Sequence, residues 1–120
     1  MKNLKSVLTV VLIGLISLKG MAQNDVKGKW AVGEQNNVIE IIQIDGVYSG
    51  KLISSDNPKA KIGMATVKDL KQNKKGKLEG KVYSAKREKW YDAEFTRKDN
   101  KLIVEISIGF FSKTIEWVAL

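Results

Sequence analysis

Leu102-Ile103-Val104-Glu105-Ile106-Ser107-Ile108 sets one apolar row against a more polar one. Leu102, Val104, Ile106 and Ile108 share one side; Ile103, Glu105 and Ser107 share the other. Successive side chains of a strand point to opposite faces, so this period of two reads as one buried face and one wet face. The preceding stretch repeats the pattern, with Tyr91, Ala93 and Phe95 opposite Asp92, Glu94 and Thr96. Lys98-Asp99-Asn100 between them supplies turn residues.

Working outward, the same grammar covers the chain from Gln23. Strands are expected at about 26–33, 37–44, 47–54, 63–70, 77–83, 89–97, 101–108 and 113–119. Asp45-Gly46 supplies the positive φ that a two-residue hairpin turn needs. Residues 55–61, which hold the only proline (Pro58), read as a loop; 72–76 and 85–88 read as turns. Strand two is ambiguous, with Ile39 and Ile41 opposite Val38, Ile42 and Ile44. Both of its faces are expected to be covered, by Phe110 and Phe111 or by a partner. Met64-Ala65-Thr66-Val67 fits a strand and also the start of a short helix. Eight strands with tight connections imply an all-β, antiparallel up-and-down meander. Closing it into a barrel removes its exposed edges.

Ahead of this domain, Lys2 and Lys5 open the chain, and apolar residues dominate from Val7 to Leu18. Gly20 and Ala22 then stand at −3 and −1 of a cleavage site before Gln23. This is the pattern of a signal peptide helix over residues 1–22, with residues 23–120 as the domain. The 12-residue run is short of the roughly 20 needed to span a bilayer as a helix. The protein is therefore expected to be exported, to periplasm or medium, and not integral to the membrane. The formal charge of the 120 residues is +8. Removing residues 1–22 takes away three lysines and no acid, leaving +5 on 98 residues. That favours solubility and is weak evidence for a polyanionic partner.

The chain has no Cys and no His. Disulfides, thiolate zinc sites and Cys–His or Ser–His nucleophile systems are excluded. No phosphate-binding loop or nucleophile elbow is present. Asp92 and Glu94 share a strand face, but neighbouring Lys and Arg make them a solvated pair rather than an acid and base. Asp45, Asp56, Asp99 and Asn100 stand singly and read as turn formers rather than calcium ligands. No catalytic residue, metal or cofactor is expected, and the protein reads as a non-enzyme.

Gly28-Lys29-Trp30 on the first strand resembles the opening of lipocalin-type barrels. A narrower likeness is to the secreted bacterial domain-of-unknown-function family 2147. It is carried by Asp45-Gly46-x-Tyr48-x-Gly50-Lys51, Gly80-Lys81-Val82-Tyr83, Leu102-x-Val104, Ile108-Gly109 and Ser112-Lys113-Thr114-x-x-Trp117. Order and spacing over nearly all of residues 23–120 make the case. The chain resembles a shortened, divergent member: the family's longer polar insertion after strand three is reduced to Asn57-Pro58 and Ile62-Gly63-Met64. The resemblance implies a lipocalin-like eight-stranded barrel. It also implies that Gly28, Trp30 and Trp117 close the barrel, with Lys113 as the cation packed over Trp30.

Three sets of residues are candidates for function. Tyr48, Tyr83, Trp90, Tyr91 and Phe95 are enough aromatic surface to line a cup for a small apolar or amphipathic ligand, the competing reading being core packing. Phe110-Phe111 in a turn would be a partner site or a cover for the cup. Lys74 and Lys75 belong to the lysine-rich stretch 68–81, a second candidate contact for an envelope component. The shortage of Arg and the export signal argue against nucleic acid. The expected module is a monomer that holds a small ligand; the alternative is a filled barrel acting as an interaction or structural domain.

Overall fold

The computed structural model describes residues 25–120; the signal peptide expected over 1–22 lies outside them. The eight strands are β1 (Gly28–Val32), β2 (Asn37–Ile44), β3 (Val47–Ser54), β4 (Ala65–Gln72), β5 (Leu78–Ser84), β6 (Lys89–Lys98), β7 (Lys101–Ile108) and β8 (Phe111–Ala119). Each pairs antiparallel with the next, and β8 returns to β1, so the meander is a closed barrel. Asp45 and Gly46 both take positive φ, as the tight β2–β3 turn requires. Residues 65–72 form a strand, not a helix start: Leu52 N donates to Met64 O and Gly63 N to Leu52 O, carrying the β3 ladder into the loop before β4.

Strands alternate in direction, so the connections fall at two ends. The mouth carries residues 33–36, 55–64, 85–88 and 109–110. The base carries residues 45–46, 73–77 and 99–100, with the segment Asp25–Lys27 tucked beneath. The packed core lies toward the base and includes Val26, Trp30, Ile41, Tyr48, Leu70, Phe95, Leu102 and Trp117. Val26 is fully buried. Trp30 Nε1 donates to Val26 O at 3.0 Å, and Arg97 Nη1 donates to Asp25 O at 2.9 Å. Burial first, and then the charge of Asp25, push the Tyr48 phenol above its usual range; a hydrogen bond with the Val26 backbone partly offsets them.

Two irregularities shape the wall. In β4, Asp69 takes a φ of 55° and the β4–β5 register shifts between Lys68 and Lys71. This bulge returns Leu70 to the interior after Val67. The second is the seam. β1 meets β8 through only Trp30–Ala119 and Ala31–Val118, with Leu120 N donating to Lys29 O. Among the described residues, β8 from Phe111 to Glu116 has no strand on its β1 side.

Among the described residues, nothing covers the second face of β2. Ile39 and Ile41 are buried, but Ile42 and Ile44 are exposed on the outer wall. Phe110 and Phe111 cannot reach Ile44, because the β7–β8 connection is at the mouth and Ile44 is at the base.

On the outer wall, Glu79, Glu94 and Glu105 are directly opposite one another across β5, β6 and β7. Like charges so placed destabilise a sheet. Lys77 lies 3.9 Å from Glu94, an exposed pair that contributes little. Glu94→Lys is expected to stabilise by about 0.5–1 kcal/mol, since it creates two opposite-charge pairs. Thermal unfolding should show a midpoint raised by about 4 °C; an unchanged or lower midpoint would contradict the like-charge reading.

Candidate ligand cavity at the barrel mouth

The packed core stops short of the mouth. Above it lies an open cavity of about 880 Å³. Its apolar lining includes Ile39, Leu52, Val82, Ile115 and Trp117, and Lys59, Lys61 and Lys86 border it from the loops. The inward row of each strand supplies the apolar set by simple alternation. The loop 55–64 is fixed beside the opening by polar contacts: Asp56 N donates to Gln35 O at 2.8 Å, and Asn57 Oδ1 accepts from Lys59 N at 2.9 Å.

Trp117 is 2% exposed and packs edge-on against Phe95, with ring centroids 5.7 Å apart. Among the described residues its Nε1 has no hydrogen-bond partner, and neither does Thr66 Oγ1. Both residues line the cavity. A buried indole N–H normally finds an acceptor, so a cavity holding one is suited to a molecule that brings an acceptor.

The aromatic cup expected from sequence does not form. Tyr48 and Phe95 are buried in the packed core, and Tyr91 is half-buried against it. Trp90 lies on the outer wall with Asp92 and Glu94, one strand face away from Tyr91. There it meets the Tyr83 ring edge-on at 5.3 Å, and Lys68 Nζ lies 4.3 Å from its centre. Of the five expected residues, only Tyr83 borders the cavity.

The barrel-closure set divides in the same way. Gly28 opens β1 with a φ of 129°, and Trp30 and Trp117 are core residues. Lys113 does not cover Trp30. β8 runs from mouth to base, which leaves Lys113 exposed near the mouth while Trp30 is held near the base. The cation over Trp30 is Arg97, 5.2 Å from the ring centre, and its Nε also donates to Asp99 O at 3.0 Å. The period of two contained this signal, because Arg97 continues the inward row Tyr91, Ala93, Phe95. Lys74 and Lys75 are on the β4–β5 turn at the base. Phe110 and Phe111 are at the mouth, so the two expected partner contacts belong to opposite ends.

A second groove, of about 640 Å³, runs along the outer wall between Asp69, Lys81, Asp92 and Glu105. Lys81 Nζ donates to Asp92 Oδ1 at 2.6 Å, and this contact holds the ammonium above its usual range. Among the described residues no cluster of acids is arranged to hold a metal ion.

Residues 28–119 match the model of a bacterial family described as "Uncharacterized protein conserved in bacteria (DUF2147)". The chain belongs to this family. The match begins at Gly28 and ends at Ala119, so the DUF2147 region coincides with the closed barrel from its first strand to its last. No curated protein and no solved structure matches the chain.

Proposed function

We propose that the barrel is an exported, non-enzymatic, monomeric binding module that holds one small apolar or amphipathic molecule in its mouth. The mouth cavity carries this reading. Its volume of about 880 Å³ falls within the range of small-molecule sites, and its apolar floor lies beneath a polar rim that includes Asn57, Lys59, Lys61, Lys86 and Glu88. The unpartnered Trp117 Nε1 on that floor favours a ligand with a carbonyl or carboxylate oxygen. The basic opening with Gly20 and Ala22 before Gln23 supports export. The absence of His and Cys from the sequence supports a carrier over a nucleophilic enzyme. The packed base favours a second reading, a structural or interaction domain, in which the mouth takes no ligand.

Tryptophan emission separates the two. Titration with a long-chain fatty acid or an isoprenoid alcohol is expected to quench or blue-shift it. Trp117→Phe should abolish the change, whereas Trp90→Phe on the outer wall should keep it. Ile115→Asp, which puts a charge into the apolar lining, should weaken binding at least about tenfold. An emission spectrum unmoved by every probe would remove the carrier reading.

A further inference from the structure

We infer that the mouth end docks on an anionic lipid bilayer, with the β7–β8 hairpin inserted among the acyl chains. This goes beyond the carrier reading and does not depend on it. Phe110 is fully exposed, Phe111 is 62% exposed, and Ile62 on the neighbouring mouth loop is 60% exposed. Gly109, with a φ of 61°, turns the chain tightly just ahead of the two exposed rings. Among the described residues β8 pairs with β1 only at Val118 and Ala119, so the upper part of the hairpin has no ladder partner on that side.

Charge selects the partner. The segments 33–36, 55–64, 85–88 and 109–113 contain Lys59, Lys61, Lys86, Arg87 and Lys113 against Glu34, Asp56 and Glu88. All five cations are exposed. Aromatic prongs between flexible cations match a headgroup layer over hydrocarbon. A protein partner fits less well. A stable protein interface needs roughly 800 Å² from each side, and the tip of one two-stranded ribbon does not offer a face of that size. Insertion into fluid chains requires no complementary shape. The base is a natural control: Lys74, Lys75, Lys77, Lys98 and Lys101 against Asp45 and Asp99 leave it basic, but its exposed Ile44 and Val47 lie on strands and no aromatic stands at a turn. Docking at the mouth would set the cavity opening against the bilayer.

Flotation with equimolar phosphatidylglycerol–phosphatidylcholine vesicles, compared with phosphatidylcholine alone, tests this. The protein should float with the anionic vesicles, and high salt should release much of it. The double variant Phe110→Ser with Phe111→Ser should lose at least about tenfold in binding. Lys59→Glu with Lys61→Glu should lose a similar amount. Lys74→Glu with Lys75→Glu should bind as the parent does. Fatty-acid titration of the same variants keeps a failed cavity distinct from a failed dock. No binding to either vesicle would overturn the inference and leave the tip to a protein. Binding that survives the Phe pair, or falls equally with the base lysines, would show generic charge attraction and also overturn it.

Discussion

Gly80→Ala is expected to destabilise the barrel by about 3 kcal/mol, a fall of roughly 15 °C in the unfolding midpoint. Gly80 is on the inward row of β5, opposite Ala93. A methyl group there would lie 2.7 Å from Leu70 Cα, 2.9 Å from Leu70 N and 2.9 Å from Lys68 O. All three are main-chain atoms, so no rotamer change makes room. The close approach follows from the bulge at Asp69, which brings the β4 backbone against β5 at this point. Relief requires β4 and β5 to separate, and this costs ladder hydrogen bonds and the packing of Leu70. A useful contrast is Gly50→Ala, where a methyl group would meet the side chains of Ile39, Val67 and Ile41 at 3.1–3.3 Å. Side chains can shift by tenths of an ångström, so its penalty should be clearly smaller. Equal penalties in chemical denaturation would show that the main-chain approach at Gly80 does not matter.

Trp30→Ala should cost about 4 kcal/mol, the largest loss for a single side chain in the core. The substitution removes the indole from the base, ends its bond to Val26 O and strips Arg97 of the ring beneath it. Arg97 would retain its bonds to Asp25 O and Asp99 O, but its half-buried guanidinium would border a void. Trp30→Phe keeps an apolar ring and loses the Nε1 bond, for about 2 kcal/mol. The base closes around the Asp25–Lys27 segment, so proteolysis near Val26 should accelerate in Trp30→Ala and little in Trp90→Phe. A Trp30→Ala protein with near-parental stability would mean that the base is held by other contacts.

The barrel was legible because local signals agreed along the whole chain. The alternation at 102–108, the Asp45-Gly46 turn and regularly spaced turn residues each pointed to antiparallel hairpins, and β2, β3 and β7 have the expected bounds. The β4 bulge was not legible. It is formed by Asp69 at positive φ without a glycine to mark it. The functional site was legible only in part. Trp90 was expected inside because aromatic rings favour burial, although parity with Asp92 and Glu94 already placed it outside. Tyr83 shares the outer row of Lys81 by the same count. Lys113 was matched to Trp30 through likeness to other barrels, whereas strand direction puts the two at opposite ends. The cavity itself depends on where side chains run out before the loops begin, and that is a sum over eight strands rather than a property of any one.

The short β1–β8 seam leaves the upper half of β8 with main-chain donors and acceptors facing outward. Such a ribbon invites a stranger chain to extend the sheet, the first step toward fibre growth. Lys113 turns toward the inner side of this stretch and Glu116 toward the outer, so an incoming strand would set its own side chains beside both charges. Charges beside an unpaired edge raise the cost of such an extension.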